Sequence, residues 1–511
     1  VSLIPQSVAL SQANICLFGP ATRAQGRRPP IALMQLAAYL DSQSLTTEII
    51  DIKKDDFIPV SKSDEKQINK EIIKNIKKCN PSIVGITAYC HEINETINLA
   101  KEIKKAIPQI KIIVGGVQGT LFPKSFLFSK SPIDFVVIGE GELTMTELSK
   151  KIINKKDYKD VLGIAFFQKG KIVKTPWRPL IKNLDILPMP AFDKVNMQFY
   201  LKPNIYGIRW LPFANTFIFT SRGCPGICTF CVNNNLWKAG GKDKMIRLRS
   251  VRSVINEIDF LVNKYNIDSL YIYDDSFIIS KKRVLDFCNE LKRRKIELIW
   301  GCEARVDKID SEIVKAMKDA GCIQIDFGVE SGSQRCLNLV KKNITITQIE
   351  KAFAICRKYK MRSFANFMFN FPGETKEDVD ETLKVAKKIK ATGYSFAIMT
   401  PFPGTDIYNN LNLNLTRKQH DIFKSSCVWI ENKNFRLAAH DLDLNQLATE
   451  ANLKFNSLKH YLSPNLIKTY LKLATRSKRK LSYFSALFEI SIFVFKQVLP
   501  RIIRKNLSAK K

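Results

Sequence analysis

The chain has 511 residues, 45% hydrophobic and 25% charged, which excludes a disordered or fibrous chain and suggests two or three domains. Lys and Arg outnumber Asp and Glu by 81 to 48, a net charge of +33, so an anionic partner (nucleic acid, membrane surface or acidic substrate) competes with plain lysine-rich solvated helices as its explanation. No signal peptide is recognisable, and nine of the 12 cysteines are scattered in apolar patterns as small buried hydrophobes, so a reducing cytoplasm is expected rather than a disulfide scaffold.

Residues 14–19 read as a buried parallel strand. A loop through Arg27, Arg28, Pro29 and Pro30 leads to a helix over Ile31–Leu40. Strands follow at Thr46–Asp51, Ile83–Thr87, Lys111–Val114 and Phe135–Ile138, with helices at 64–79, 93–106 and Thr144–Asn154. This alternation predicts an α/β fold opening with a doubly wound parallel sheet over residues 1–155. Ligands of such sheets lie at the C-terminal strand ends, here Gly19, Thr87, Gly115, Gly116, Gly139 and Glu140. None of these stretches matches GxGxxG or a P-loop, which disfavours a nucleotide site.

Residues 156–205 read as a connector. Ile164–Gln168 and Lys171–Lys174 can pair as a hairpin, and Ile186–Ala191 is stiffened by prolines. From 206 to 415 six strands alternate with helices, predicting a partial (β/α)6 barrel. The strands are Thr216–Thr220, Ile267–Tyr273, Glu297–Glu303, Ile323–Val329, Phe364–Phe371 and Tyr394–Thr400. One helix is expected over Arg247–Lys264.

The sharpest chemical signal follows the first barrel strand. Cys224, Cys228 and Cys231 stand on one short loop with three and then two residues between them. Three thiolates can hold three irons of a [4Fe–4S] cluster and leave the fourth open to a substrate. Zinc usually takes four ligands, and none of the four histidines (His91, His420, His440 and His460) lies nearby in sequence.

The cysteine spacing, with Phe230 before the last cysteine, resembles the radical SAM family. The resemblance implies that the open iron chelates S-adenosylmethionine (SAM), and that one electron then cleaves the sulfonium to methionine and a 5′-deoxyadenosyl radical. It also implies SAM contacts at Phe230, Asp274, Asp275, Arg305, Glu330, Asn370 and Gly373. Structural alternatives stand beside these roles. Either aspartate can cap the next helix, Arg305 and Glu330 can form a ligand-free buried pair, and Gly373 can serve only its turn.

The first domain resembles the cobalamin-binding domain found ahead of radical SAM domains. The similarity rests on Pro29-Pro30, Gly85-Ile86-Thr87, Val114-Gly115-Gly116 and Gly139-Glu140-Gly141-Glu142. It departs from the pattern with a lower axial histidine, because Gly19–Gly26 contains none. The whole layout over 12–415 resembles the cobalamin-dependent radical SAM group, which includes methylases of unactivated carbons and the anaerobic magnesium-protoporphyrin monomethyl ester cyclase. Methyl transfer to a small-molecule or lipid-like substrate is the reaction expected from it, with radical cyclisation or rearrangement as the enzymatic alternative and a corrinoid sensor as the non-enzymatic one. The cofactors implied are a [4Fe–4S] cluster, SAM and cobalamin, with a flavodoxin or ferredoxin as reducing partner.

Residues 416–511 read as a basic helical region, with helices over Leu442–Tyr461 and Leu466–Leu473. Leu481–Leu499 is apolar but carries Glu489 and Lys496, which argues against a membrane span. It suits an interfacial helix on anionic lipid, or one docked on the catalytic domain. No RNA-binding module is recognisable, which argues against a nucleic-acid partner.

Overall fold

Runs of fully buried residues set the strands, and helices with one apolar stripe cover them. The computed structural model describes residues 12–20, 27–52, 62–204, 207–238, 246–412 and 435–456, with isolated positions between 415 and 475.

The first unit comprises β1 (Ile15–Phe18), α1 (Ile31–Ser42), β2 (Thr47–Ile49), α2 (Lys62–Cys79), β3 (Ile83–Thr87), α3 (Ile93–Ala106), β4 (Lys111–Gly115), α4 (Gly116–Leu121), β5 (Phe135–Val137) and α5 (Gly141–Ile153). The hairpin β6 (Ile164–Gln168) and β7 (Lys171–Lys174) follows. On α3 the buried side chains Ile93, Ile97, Ala100 and Ile103 fall at helical spacing, and Lys104 and Lys105 close its last turn. The sheet runs β2-β1-β3-β4-β5-β6-β7. It is parallel as far as β5, then β6 and β7 add antiparallel. The hairpin therefore belongs to the first sheet and is not part of the connector expected over 156–205. It covers the edge that β5 would otherwise expose.

The short helix α6 (Met197–Tyr200) lies in the true connector. Next come β8 (Asn215–Ile218), β9 (Ser221–Arg222), α7 (Val232–Lys238), β10 (Arg247–Leu248), α8 (Val251–Tyr265), β11 (Ser269–Ile272), α9 (Lys281–Arg293) and β12 (Ile299–Ala304). The barrel closes its count with α10 (Ser311–Asp319), β13 (Cys322–Glu330), α11 (Gln334–Leu339), α12 (Ile346–Lys358), β14 (Arg362–Phe369), α13 (Lys376–Ile389), β15 (Gly393–Ile398) and α14 (Asp406–Asn410). Six parallel strands in the order β8-β11-β12-β13-β14-β15 form the expected open barrel. The helix expected from Arg247 begins at Val251 instead. Arg247 and Leu248 pair with β9, and the Ser250 side chain caps α8 by accepting from Ser253 N at 3.1 Å.

An open barrel leaves β15 as an edge strand. The helix α15 (Leu444–Phe455) covers it. Asn452 Nδ2 donates to Phe396 O at 2.8 Å, and Phe396 N donates to Asn452 Oδ1 at 3.0 Å. Asn456 makes the same pair with Tyr394, at 3.0 and 2.9 Å. Two amides four residues apart thus replace a missing neighbouring strand. Each backbone group left unsatisfied costs about 1–3 kcal/mol. The double variant Asn452→Ala/Asn456→Ala is therefore expected to lower the thermal midpoint by several degrees. An unchanged midpoint in calorimetry would refute this edge-capping role.

Leu481–Leu499 lies outside the described residues, as does half of the expected Leu466–Leu473 helix. Among the described residues no helix is long and apolar enough to cross a membrane.

Candidate active site

The loop after β8–β9 carries Cys224, Cys228 and Cys231. Backbone bonds hold it from two sides: Thr229 N donates to Val340 O at 3.0 Å, and Ile407 N donates to Thr229 O at 3.1 Å. Phe230 packs against Phe371, Met399 and Val340 and so anchors the loop on the ends of β14 and β15. Gly226 sits between the first two sulfurs. A Cβ there would lie 3.5 Å from each of the Cys224 and Cys228 Sγ atoms and 3.4 Å from Arg305 Nη1. Burial pushes the Cys231 thiol up to about 11. The Cys228 thiol is also raised, again by burial, with Lys342 and Arg305 opposing the shift. Buried thiols become thiolates readily only with positive charge beside them. The donor set of three cysteines on one loop, the glycine cradle and two cations fits an iron–sulfur cluster ligated by thiolates.

The two cations are held in place by the barrel. Arg305 Nε donates to Asp307 at 2.9 Å, and Nη2 donates to the carbonyls of Lys342 and Asn343 at 3.2 Å each. Lys342 Nζ donates to Glu330 Oε1 at 2.6 Å. Burial alone would lower the Lys342 ammonium, but Glu330 and Cys228 outweigh it and the net shift is upward. A Cβ on Gly328 would collide with Glu330 Oε1 and lie 2.9 Å from Lys342 Nζ. Arg305 and Glu330 both lie beside the cysteine loop and do not pair with each other. Lys342, which the sequence did not reveal, takes Glu330.

Two expected SAM contacts are turned inward. Both oxygens of Asp274 are taken: Thr220 N donates at 2.6 Å, Thr220 Oγ1 at 2.5 Å and Ser221 N at 3.2 Å. Asp274 ties the end of β11 to the end of β8, so it is a positioning residue. Asn370 Nδ2 donates to Met399 O and Phe435 O, and its Oδ1 accepts from Leu437 N and Ala438 N. Every donor and acceptor of that amide is spent on fixing the segment 435–438. Asp275, by contrast, is exposed and accepts from Asn233 Nδ2 at 2.5 Å. Gly373 has φ +63°, and a Cβ there would meet nothing within 4 Å. Its face is open space, which suits a flat ligand.

In the first unit a cavity of about 280 Å³ opens at the C-terminal strand ends. Thr87, Gly115, Gly116, Gly139 and Glu140 line it, over a floor that includes Leu17, Ile113 and Met145. Gly19 is not on the lining; a Cβ there would stand 3.5 Å from Thr87 Cγ2, behind the wall. Gly116 has φ +89° and lies so near Thr87 and Ala88 that a side chain would fill the slot's rim. A Cβ on Gly115 would meet nothing within 4 Å. An apolar slot opened by glycines fits part of a cobalamin. Trp177, Arg178 and Leu36 also line it, and no short-range pattern marks them in the sequence.

Glu140 links this slot to the cluster loop. Arg222, two residues before Cys224, donates to Glu140 Oε1 at 2.6 Å and to Glu142 Oε1 at 2.5 Å. Arg247 donates to Glu140 at 2.8 Å, and Ile181 N does so at 2.8 Å. Burial acts to raise the Glu140 carboxyl, but Arg222 and Arg247 outweigh it and hold it below the ordinary 4.5. Arg222 also lines the slot. The C-terminal ends of both sheets therefore face one another across a charged clamp.

A family model described as the radical SAM superfamily matches residues 218–386, and one described as a B12 binding domain matches residues 20–149. An uncharacterised methyltransferase of Pyrococcus horikoshii is 34% identical over 418 residues, 80% of this chain and 86% of that one. The anaerobic magnesium-protoporphyrin IX monomethyl ester cyclase of Rubrivivax gelatinosus is 29% identical over 76% of this chain and 67% of its own. A cytidylyl-2-hydroxyethylphosphonate methyltransferase of Streptomyces wedmorensis is 26% identical over 74% and 77%. Two solved structures share the fold. The radical SAM methyltransferase TsrM from Kitasatospora setae, with cobalamin and a [4Fe–4S] cluster bound, has a TM-score of 0.64 at 19% identity, covering 78% of this chain and 77% of TsrM. The cobalamin-dependent radical enzyme OxsB, with aqua-cobalamin and SAM bound, has 0.65 at 18% identity, covering 97% and 75%. Radical SAM enzymes act on small molecules and draw electrons from a reductant. The chain belongs to the radical SAM enzymes that carry a B12-binding domain, with a [4Fe–4S] cluster, SAM and cobalamin as cofactors.

Proposed function

We propose that this enzyme transfers a methyl group from SAM to an unactivated carbon of a small-molecule or lipid-like substrate. The observation that carries the reading is the Arg222 clamp, which joins the wall of the cobalamin slot to the cysteine loop. Two relatives named as methyltransferases support the reaction type. When bound, the cofactors supply the radical and the methyl carrier; the difficult bond changes belong to them.

The chain's own residues bind, orient and shield. The three cysteines hold the cluster, while Lys342 and Arg305 offset their charge. Asp275, Glu330 and the open face of Gly373 receive SAM, and Phe230 backs that site. Asp274 and Asn370 fix the strand ends so that these groups keep their places. Thr87, Gly115, Gly116, Gly139 and the floor of the slot hold the corrinoid.

The cyclase relative favours a second reading, radical cyclisation, in which SAM is cleaved but its methyl is not moved. Incubation of anaerobically reconstituted enzyme with hydroxocobalamin, reductant and methyl-deuterated SAM separates the two. Methyl transfer predicts label recovered on the corrinoid; label found only in methionine contradicts it.

A basic chain of net charge +33 supports an acidic reductant such as a flavodoxin or ferredoxin. Eleven described cysteines are free, which supports a reducing, cytoplasmic setting. Peripheral contact of the basic tail with a membrane is part of the proposal. Co-sedimentation with anionic liposomes tests it, and an unbound protein sinks it.

A further inference from the structure

Strand β12 alternates its side chains between the helical layer and the barrel lumen. Trp300 faces outward, with its ring 5.7 and 5.4 Å from those of Phe277 and Phe287. Gly301 faces inward, where a Cβ would lie 3.2 Å from the Tyr271 ring and 3.1 Å from Ile208. Arg305 faces the cysteine loop. The same period places Glu303 in the lumen, about 7 Å along the strand below Arg305.

The surroundings of Glu303 are largely committed to one another. Asp326, its register neighbour on β13, accepts from Arg209 Nε at 2.8 Å and from Tyr271 OH at 2.9 Å. Arg209 also donates to Asn366 Oδ1 at 3.0 Å. Asp275 accepts from Asn233. Arg28 reaches in from the first unit, 5.4 and 5.3 Å from the Phe217 and Tyr273 ring centres, and donates to Tyr273 OH at 3.1 Å. Among the described residues the Glu303 carboxyl has no hydrogen-bond or ion-pair partner. Burial, with Asp326 and Asp275 nearby, pushes it up to about 7, against the pull of Arg209 and Arg28.

We propose that Glu303 binds a protonated amine of the substrate within the barrel lumen, beneath the SAM site. A half-buried carboxyl without a partner is unfavourable unless a ligand neutralises it. The exposed rings of Phe219 and Tyr273 line a cavity together with Asp275, Glu257, Arg222 and Arg249. Acidic oxygens beside aromatic faces suit an organic ammonium. The acidity is local, in a chain of net charge +33. This assignment rests on the reading of the site as a radical SAM centre for small molecules and adds the class of the substrate.

The bound ammonium favours the ionised form of Glu303, so its affinity rises as pH increases through about 7. Ligand-observed NMR titrations of the reconstituted, SAM-loaded holoenzyme with n-butylamine, n-butanol and butyrate test the assignment. The amine is expected to bind more tightly than the other two, and more tightly above neutrality than below it. Glu303→Gln is expected to weaken the amine about tenfold and to flatten its pH dependence. Glu303→Asp should recover part of both. Equal binding of butyrate, or a pH-independent amine affinity in the wild type, overturns the proposal; so does full amine binding by a folded Glu303→Gln variant. The wild-type holoenzyme should form 5′-deoxyadenosine from SAM alone. Absence of that product would instead refute the underlying radical SAM reading.

Discussion

Cys228→Ala is expected to yield a folded protein that takes up no [4Fe–4S] cluster and forms no 5′-deoxyadenosine above background. Cys228 is the most buried of the three cluster cysteines, and Lys342 and Arg305 act on its thiol. Removing one sulfur from a three-thiolate set leaves two ligands, too few to hold a cluster that already lacks a fourth. Loss of a small buried side chain costs only about 1–2 kcal/mol, so the fold survives. Cys302→Ala is the control. That thiol is fully buried on β12, on the strand face opposite Glu303 and Arg305. Iron content and deoxyadenosine should be unchanged there. Iron analysis and product mass spectrometry check both variants, and a Cys228→Ala protein that retains iron and cleaves SAM would refute the assignment.

Arg222→Ala should give the second largest effect. The arginine forks between Glu140 and Glu142, whose side chains are 9% and 7% exposed. Its removal leaves Glu142 without this partner and Glu140 with Arg247 and the Ile181 N–H. Breaking a buried pair by deleting one member costs about 3–5 kcal/mol. Arg222 is itself 22% exposed, so a value near the lower end is expected. The slot and the cluster loop lose their common strut. Label transfer from methyl-deuterated SAM to the corrinoid should fall about 100-fold, the usual cost of a small misplacement of reacting groups. Arg222→Lys should fall between, since an ammonium cannot fork to two carboxylates.

The clamp also sets a pH dependence. The folded Glu140 carboxyl is held below 4.5, so its contribution is complete above the unfolded value. It is lost as pH falls below 4.5 through the lowered folded value. Thermal midpoints of wild type and Arg222→Ala should therefore converge in that acid range. A constant gap between them would contradict the linkage.

The strands and the cluster loop were legible because their signals are local. Six barrel strands follow from buried apolar runs, and three cysteines on one loop are chemistry written in eight consecutive residues. The hairpin at 164–174 was also visible, but its attachment to β5 was not, because pairing across a sheet depends on edges that no local pattern reports. Asp274 and Asn370 stand at the expected strand ends, but their hydrogen bonds to neighbouring loops are not legible in the sequence. A polar residue at a strand end reads alike whether it faces a ligand or secures a neighbouring loop; only the positions of Thr220 and Leu437 decide. Lys342 was hidden beside Lys341, in a stretch that reads as a solvated surface. Its burial against Glu330 depends on Gly328 leaving room and on the loop folding back after α11. Arg222 and Glu140 are 82 residues apart, and only the facing of the two sheets joins them.

The central claim is that the two sheets present cobalamin and the iron–sulfur cluster to one shared space. Pulsed EPR of enzyme loaded with cob(II)alamin and the reduced cluster tests it directly. A resolved dipolar coupling between the two spins is expected in the wild type, weakened or broadened in Arg222→Ala. Two fully loaded centres without measurable coupling would contradict it.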